Sequence, residues 1–259
     1  MEWLRADFHT HTSDCVFDGI RHGAVQLIDR AALQGFRALA ITNHCFLIYS
    51  ECWREYALER GVILLPGVEI EIGRRHVLII NASRDADRIK TFDDLRAYRR
   101  MNNSLIIAPH PFYPGLICLR RKLYRYWGLF DALEYNSFYT TFFNPNQRAV
   151  KFAQEVGLPL VGGSDSHRLS MLGRTYSLIQ SDFDPDSILQ AVRAQRVKIV
   201  TQPLSAGEAF TLAVKLKLST LRQDIKRIIS PRPQVCTYHP YPIQESEGKQ
   251  SSSSISVPH

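Results

Sequence analysis

The chain contains nine histidines, and six of them stand at the ends of short apolar segments, close in sequence to an acidic residue. Neutral imidazole binds borderline divalent metals such as zinc, manganese and iron, and carboxylates can bridge two ions and offset their charge. Glu69 and Asp165 supply carboxylates after apolar segments. Because this set exceeds what one tetrahedral ion requires, the pattern predicts a polynuclear metal site. The six histidines are His9, His11, His44, His76, His110 and His167.

The apolar segments that carry these residues have the length of buried strands. Between them lie stretches with helical periodicity, as in residues 24–32, where apolar side chains fall on one helix face and Gly35 follows as a stop signal. Further helices are predicted after Pro145, ending at Gly157, and after Pro185, and less regular ones at 51–60 and 93–101. This alternation predicts a parallel sheet covered on its outer side by helices.

The positions of the metal-type residues distinguish an open sheet from a closed barrel. In an open sheet, ligands gather at one switch point, whereas in a barrel the carboxyl ends of all strands converge on one mouth. Here such residues accompany at least six separate apolar segments. We therefore expect an α/β barrel with the metal site at the C-terminal ends of its strands.

The composition predicts a large domain in a reducing compartment. A chain of 259 residues, 45% of them apolar, suffices for one core. No apolar run is long enough to span a membrane, and the N-terminus has no signal-peptide pattern. Five scattered cysteines without a C-x-x-C pair indicate neither a disulfide framework nor a cysteine zinc site. We therefore expect a cytoplasmic protein without a transmembrane segment.

A net charge of +7 favours anionic partners, whether phosphate esters, nucleic acid or acidic membranes. The segment from Arg120 to Trp127 mixes basic and aromatic residues, as single-strand binders do. The alternative, which we favour from sequence, is a solvated basic face whose aromatic side chains pack inward.

The composition divides the chain into three parts. Residues 1–204 are predicted to form the metal-binding barrel. In residues 205–229 an apolar stripe at helical spacing predicts an amphipathic helix that docks on the barrel, although such a basic helix can also lie on an anionic membrane. Residues 230–259 are rich in proline, serine and glutamine, and this composition predicts a disordered tail.

Taken in order along the chain, the motifs resemble those of the PHP superfamily, named for polymerase and histidinol phosphatase. The resemblance covers roughly residues 5 to 200 and implies a distorted (β/α)7 barrel that holds two or three divalent ions of zinc, manganese or iron. The matching motifs are Phe8-His9-Thr10-His11-Thr12, Thr42-Asn43-His44, Pro66-Gly67-Val68-Glu69, His76-Val77-Leu78, His110-Pro111, Glu134-Tyr135-Asn136 and Gly163-Ser164-Asp165-Ser166-His167.

Carried over by position, the implied ligands divide into three sets, and the second set is completed by an aspartate from the loop after the first strand. Asp18 is preferred because a glycine follows it, as in the family pattern, and Asp14 is the alternative. The sets are His9, His11, Glu69 and Asp165 for the first ion, His44, His167 and Asp18 for the second, and His76, His110 and a bridging Glu69 for the third.

One motif departs from the family, which usually has an aspartate where Asn43 stands. The departure implies that a carboxylate orienting a ligand is missing. Glu134 and Asn136 end a strand, where they either belong to the site or cap the following turn. Asp7 is expected to orient a ligand or to pair with a base, and Glu71 to be a solvated charge at the rim.

The leading hypothesis is a hydrolase, a metal-dependent phosphoesterase that cleaves a phosphate monoester of a small molecule or nucleotide. Two ions about 3.5–4 Å apart can hold a hydroxide, polarise the phosphoryl oxygens and stabilise the leaving oxygen. Asp18 and His167 are the candidates for protonating the leaving group. Arg168 and the basic residues 120–122 are the candidates for binding the substrate phosphate.

Two alternatives stay open at this point. One is a 3′–5′ exonuclease or phosphodiesterase acting on nucleic acid ends, a partner that we do not favour because no nucleic-acid module accompanies the motifs. The other is a non-catalytic module that binds metal or phosphate, since such barrels can lose their chemistry while keeping their shape. The sequence does not define the oligomeric state.

Overall fold

The computed structural model describes residues 1–15, 18–209 and 211, in which strands and helices alternate. The nine strands in these residues are β1 (Glu2–Thr10), β2 (Phe36–Ile41), β3 (Ile63–Ile72), β4 (Arg75–Ile80), β5 (Leu105–Ala108), β6 (Ala132–Asn136), β7 (Leu160–Gly163), β8 (Thr175–Ser181) and β9 (Val197–Thr201). The named α-helices are α1 (Ala24–Leu33), α2 (Glu51–Glu59), α3 (Phe92–Met101), α4 (Arg121–Tyr126), α5 (Asn146–Val156) and α6 (Pro185–Arg193).

These strands form a single sheet in the order β7-β6-β5-β4-β3-β2-β1-β8-β9. Neighbours pair in parallel from β1 to β3 and from β5 to β7, whereas β4 and β8 run antiparallel to both of their neighbours. The predicted α/β class is confirmed. The sheet is mixed rather than parallel, and the described residues do not reproduce a regular (β/α)7 arrangement.

A tight turn explains why β4 runs against its neighbours. Gly73 and Arg74 connect β3 to β4, and their φ angles are both positive, 52° and 65°. Two consecutive residues with positive φ form the turn whose twist suits an antiparallel hairpin, and glycine adopts this conformation at no steric cost. The reversal corrects the expectation that every ligand lies at a C-terminal strand end. His76 is near the N-terminal end of β4, where it pairs with Glu71 of β3.

The sheet curls until its two ends nearly meet. The backbone N–H of His11 donates to the carbonyl oxygen of Ser166 at 3.2 Å, and that of Ser166 donates to the carbonyl oxygen of His9 at 3.4 Å. Below these contacts the N–H of Gly162 in β7 donates to Oγ of Ser177 in β8 at 2.9 Å. The result is a nearly closed, barrel-like sheet that brings the carboxyl ends of β1 and β7 together.

The helices predicted at 24–32, at 51–60, at 93–101, after Pro145 and after Pro185 are all confirmed. Side-chain caps begin two of them. Thr91 accepts a hydrogen bond from the N–H of Asp94 at the start of α3, and Asp184 accepts one from the N–H of Ser187 at the start of α6. The buried faces of α1 and α6 pack against the strands in separate apolar clusters. This packing fixes the strand ends that carry the site.

The C-terminal predictions fall mostly outside the described residues. Residues 206–209 are helical, while the rest of the helix expected at 205–229 and the tail expected at 230–259 lie beyond the described part. Within the described chain, no helix has both the length and the apolar character needed to cross a membrane.

Candidate metal centre

The carboxyl ends of the parallel strands and the amino end of β4 meet at one rim, and all nine predicted ligands come together there. Each belongs to a group of imidazole and carboxylate atoms that lie within 4.8 Å of one another. The groups share members and are His11, Asp18, His44 and His167; His9, Glu69 and His110; His9, His11 and Asp165; and His44, Glu69 and His76.

In the first predicted set, two imidazole nitrogens lie close to the same two carboxylate oxygens. Nε2 of His9 lies 3.4 Å from Oε2 of Glu69 and 3.4 Å from Oδ1 of Asp165, and Nε2 of His11 lies 3.5 and 3.4 Å from the same two oxygens. Ligands bound at 2.0–2.1 Å to a tetrahedral ion are separated by about 3.4 Å. These separations therefore fit ligands that share one ion.

The two oxygens of Glu69 face different groups. Oε2, which faces the first set, also lies 3.0 Å from Nδ1 of His44. Oε1 lies 2.6 Å from Nδ1 of His76 and 3.4 Å from Nε2 of His110. A carboxylate oriented in this way suits the bridging position that the family resemblance implies between the first and third ions.

Asp18, rather than Asp14, lies beside the histidines of the second set. Its Oδ2 is 3.2 Å from Nε2 of His44 and 3.6 Å from Nε2 of His167. Asp14 instead accepts a hydrogen bond from the hydroxyl of Thr12 at 2.8 Å and belongs to none of the ligand groups among the described residues. The position of Asp18 agrees with the preference drawn from the glycine that follows it.

Several buried atoms of the cluster have no hydrogen-bond partner within the described residues, although oppositely charged groups surround them. These atoms are Nε2 of His9, Nδ1 and Nε2 of His11, Oε1 of Glu69 and Nδ1 of His76. An unsatisfied buried polar atom costs about 1–3 kcal/mol. Lone pairs that converge without hydrogen-bond geometry are what a cation would satisfy, so the donor set fits divalent ions.

The electrostatics of the cluster keep two of its buried carboxylates negatively charged. Burial alone would raise the pKa of Glu69, but the histidines around it, led by His76 and His44, hold that pKa well below its usual value. Burial likewise opposes ionisation of Asp165, yet the neighbouring His9 and His11 keep its pKa well below normal. Both carboxylates are therefore ionised in the form that binds metal.

His11 has the opposite shift. Burial, reinforced by the nearby His167, lowers the pKa of His11 to about 3. The imidazole of His11 is therefore neutral at physiological pH. Neutral imidazole is the form that coordinates a metal ion.

Two predicted ligands at this rim have unusual backbone conformations. His110 has a φ angle of 30° and Asp165 one of 50°, and non-glycine residues adopt such values at a cost of about 1–3 kcal/mol. The N–H of His110 is held by Oε2 of Glu134 at 2.7 Å. The surrounding contacts thus stabilise backbone geometry that aims these two side chains at the centre.

Glu134 and Asn136, which the sequence left between a site role and a turn cap, lie directly behind the ligands. Oε1 of Glu134 accepts a hydrogen bond from Nδ1 of His9 at 2.7 Å. The amide of Asn136 donates to Oε2 of Glu134 at 3.0 Å and to Oδ2 of Asp165 at 3.3 Å. Such outer contacts fix the tautomer and orientation of metal ligands.

The remaining acidic and amide residues of the motifs have separate roles. Asp7 accepts hydrogen bonds from the backbone N–H groups of His9 and Ser164, and burial raises its pKa to about 7. Among the described residues the side chain of Asn43 forms no hydrogen bond to a predicted ligand side chain: its Oδ1 accepts from the N–H of Thr12 and its Nδ2 donates to the hydroxyl of Thr12, both at 2.9 Å. Asn43 therefore positions the first loop, while the exposed Glu71 is solvated as expected.

Sequence reasoning missed three contacts beside the centre. The buried His22, which stands outside every motif, donates from Nε2 to the carbonyl oxygen of His11 at 3.0 Å. Two buried thiols also touch ligands, since Sγ of Cys15 donates to Asp18 and Sγ of Cys118 lies 3.3 Å from Nδ1 of His110. The periodicity of apolar residues along the chain cannot predict such contacts, because they depend on the conformation of the loops.

The basic residues assigned to phosphate binding are exposed near the rim. Arg168 follows His167, and its side chain has no ion-pair partner in the described part of the chain. The backbone N–H of Arg120 donates to the carbonyl oxygen of Pro111, which places Arg120 beside the loop that follows His110. In the 120–127 segment the aromatic side chains do not all pack inward as we had favoured, because Tyr124 and Trp127 remain exposed.

Comparison with known proteins agrees with this geometry. The family model described as PHP-associated matches residues 143–197, a segment that contains Asp165 and His167. No curated protein sequence matches the chain. Similar folds occur in solved structures of low sequence identity, which demonstrate the fold alone, and three of them are described below.

The first is a two-domain protein containing a predicted PHP-like metal-dependent phosphoesterase from Bacteroides vulgatus, 19% identical over 77% of this chain and 65% of that one, with a TM-score of 0.62. PsfC from Pseudomonas syringae is 18% identical over 87% and 100% of the two chains, with a TM-score of 0.57. The lesion-specific endonuclease PfuEndoQ from Pyrococcus furiosus is 16% identical over 82% and 66%, with a TM-score of 0.56.

The fold and the site define an α/β protein with a barrel-like sheet and a cluster of imidazole and carboxylate side chains that suits divalent ions. Residues 143–197 match the PHP-associated family model, and the described chain shares its fold with the three structures above. The chain spans just under two thirds of the Bacteroides and Pyrococcus proteins, and the whole length of PsfC.

Proposed function

We propose that the protein is a metal-dependent phosphoesterase that hydrolyses phosphate monoesters. The observation that carries this proposal is the convergence of nine imidazole and carboxylate side chains, several with unsatisfied buried atoms, at one rim of the barrel. When bound, two or three divalent ions there supply an activated water and positive charge for the phosphoryl oxygens. Zinc, manganese and iron suit this mixture of nitrogen and oxygen ligands.

The side chains of the centre differ in their exposure to solvent, and this difference separates their proposed roles. The side chains of His9, His11 and Glu69 are at most 1% exposed, so they can hold ions away from bulk water. His167 is 35% exposed and donates from Nδ1 to the carbonyl oxygen of Asp165, which leaves Nε2 beside Oδ2 of Asp18 at 3.6 Å in the second ligand set. We propose that His167 passes a proton to the leaving oxygen in the state in which its Nε2 is not bound to an ion.

Arg168 completes the proposed site as the phosphate-binding group. It follows His167 directly, it is exposed, and no carboxylate in the described residues neutralises it. An unpaired guanidinium can form two parallel, charge-assisted hydrogen bonds to a phosphate.

The proposal is tested by phosphate release from an aryl phosphate, using purified full-length protein supplied with manganese or zinc. The wild-type protein should turn over, and the double variant His9→Ala/Asp165→Ala should fall below about 1% of that rate, because the ions contribute several kcal/mol of transition-state stabilisation. The exposed Asp93→Ala serves as the control, since Asp93 lies on α3 and pairs with Arg96. Equal rates in the wild-type protein and the double variant would reject the proposal.

A nuclease is the second candidate, and one comparison favours it. PfuEndoQ, whose fold this chain shares, is a lesion-specific endonuclease. The two activities are separated by comparing sugar phosphates and nucleoside monophosphates with labelled single strands. Preference for the strands, with a rate that falls steeply as salt is added, would favour the nuclease.

A further inference from the structure

We propose that an aromatic pocket beside the metal centre binds a nucleobase, so that the ester cleaved at the centre belongs to a nucleotide or to the end of a single strand. This inference rests on the proposed function and names the substrate class. The pocket opens between the loop after β5 and the loop after β6 and has a volume of about 270 Å³. Its walls include Phe112, Pro114, Phe142, Phe143, Pro145 and Arg148.

The pocket is lined by residues of the two loops that follow β5 and β6, and the loop after β5 also carries the predicted ligand His110. Phe112 follows His110 by two residues, so their Cα atoms are at most about 7.6 Å apart. Tyr113, between two lining residues, donates its hydroxyl to the carbonyl oxygen of Asn136 at 3.3 Å. The side chain of Asn136 in turn contacts Asp165. One short loop and one chain of contacts therefore connect the pocket to the centre.

One side of the pocket combines aromatic rings with a guanidinium. The guanidinium carbon of Arg148 lies 4.7 Å from the ring centre of Phe112 and 5.8 Å from that of Tyr124. Nη2 of Arg148 donates to the hydroxyl of Tyr124 at 2.9 Å, which fixes the plane of the group. No carboxylate pairs with Arg148 among the described residues, so its charge and its flat face are available to a ligand.

The opposite side is formed by a closed turn that exposes two phenyl rings. The N–H of Thr140 donates to the carbonyl oxygen of Phe143 at 2.9 Å, and the N–H of Phe143 donates to the hydroxyl of Thr140 at 3.0 Å. Within this turn Phe142 is 100% exposed and Phe143 is 55% exposed. Adjacent exposed aromatic residues of this kind commonly mark a binding surface.

The chemistry of this pocket suits a nucleobase on a phosphate ester. Bases stack on phenylalanine rings and on guanidinium planes without requiring a particular sequence. The pocket provides both surfaces, and the net charge of +7 attracts the phosphate. An acyl chain or apolar peptide would gain nothing from the unpaired guanidinium of Arg148.

The experiment uses hydrolysis-resistant probes with full-length, metal-replete protein. One probe is 2-aminopurine riboside 5′-phosphorothioate, and the other is a phosphorothioate tetranucleotide that contains 2-aminopurine. Fluorescence of 2-aminopurine is quenched when it stacks, so the readout reports stacking rather than charge attraction alone. We expect both probes to be quenched, and the tighter-binding probe identifies free nucleotide or single strand as the source of the base.

The double variant Phe142→Ala/Phe143→Ala should lose the quenching and weaken binding about 5- to 100-fold. Trp3→Ala is the control, because Trp3 is an exposed aromatic residue near the amino end of β1, outside the pocket, and should leave binding unchanged. Absence of quenching in the wild-type protein, or equal quenching in the double variant, would overturn the inference. Aryl phosphate hydrolysis is measured on the same wild-type sample: turnover without quenching rejects the base pocket alone, and quenching without turnover rejects the proposed activity alone.

Discussion

Nδ1 of His9 lies 2.7 Å from Oε1 of Glu134, a contact between two buried residues that are 125 positions apart in the chain. A carboxylate accepts, so Nδ1 carries the proton and Nε2 is left to face Glu69 and Asp165. The other oxygen of Glu134 accepts from the N–H of His110. One side chain thus orients two predicted ligands of different ions.

Glu134→Gln should weaken metal binding about 10- to 100-fold, as loss of an outer hydrogen-bond partner generally does. If the amide oxygen of the glutamine stayed beside His9, its NH2 group would face the N–H donors of His110 and Asn136. In the opposite orientation the amide would lose the hydrogen bond from His9. A competition titration with a fluorescent chelator measures this affinity. Glu71→Gln is the matched control on a solvated glutamate, and an equal effect of both substitutions would argue against the assigned role of Glu134.

The two aspartates of the first loop should behave differently. Asp18→Asn removes a carboxylate that lies near His44 and His167, so we expect about one ion fewer per chain and at least a tenfold loss of phosphate release. Asp14→Asn preserves an acceptor for the hydroxyl of Thr12 and should stay within about twofold of the wild-type protein. A greater loss of metal in Asp14→Asn than in Asp18→Asn would reverse the assignment.

Alanine substitutions at two adjacent glycines of β7 should have different effects, one on metal affinity and the other on stability. An added Cβ at Gly163 would overlap Oε1 of Glu134 and displace it from His9, so Gly163→Ala should lower metal affinity. An added Cβ at Gly162 would press on the backbone of Tyr176 in β8, and Gly162→Ala should lower the free energy of unfolding by about 1–3 kcal/mol. Chelator titration and urea unfolding measure the two effects, and identical profiles for both variants would contradict this division.

Metal removal should destabilise the fold. A metal present at a thousand times its dissociation constant stabilises a protein by about 4 kcal/mol per site, which corresponds to roughly 8–16 °C in Tm for a chain of this size. We therefore expect chelation to lower the Tm of the wild-type protein by at least that amount. The double variant His9→Ala/Asp165→Ala should change much less, and an unchanged wild-type Tm would indicate that no ion was held.

Eight of the nine candidate ligands could be predicted from sequence because each accompanies an apolar strand, and strands of a barrel converge on one rim, whereas Asp18 was inferred from the family resemblance. All nine candidates come together at this rim. The sequence analysis did not predict that β4 runs antiparallel to its neighbours, although Gly73 and Arg74 form the turn before it. A short apolar segment carries no information on the direction of its strand in the sheet. The strands β8 and β9 were also missed, since Val197–Thr201 is only partly buried and its apolar pattern is weak.

The outer contacts of the site lay beyond the reach of sequence patterns. Glu134 is adjacent to His9 only because β6 and β1 share a closed sheet, and periodicity within one segment cannot report such a neighbour. The same holds for His22, which is buried against the backbone of His11, and for Asn43, whose amide binds Thr12 rather than a ligand. The fold creates these contacts after the strands have been assembled.

The central claim is that the nine clustered side chains hold a polynuclear metal site, and counting ions per chain tests it most directly. Full-length protein, purified in the presence of manganese or zinc and freed of unbound metal, is measured by inductively coupled plasma mass spectrometry against protein concentration. We predict two or three ions per chain, as the arrangement of the ligand sets implies. Fewer than one ion per chain would contradict the account.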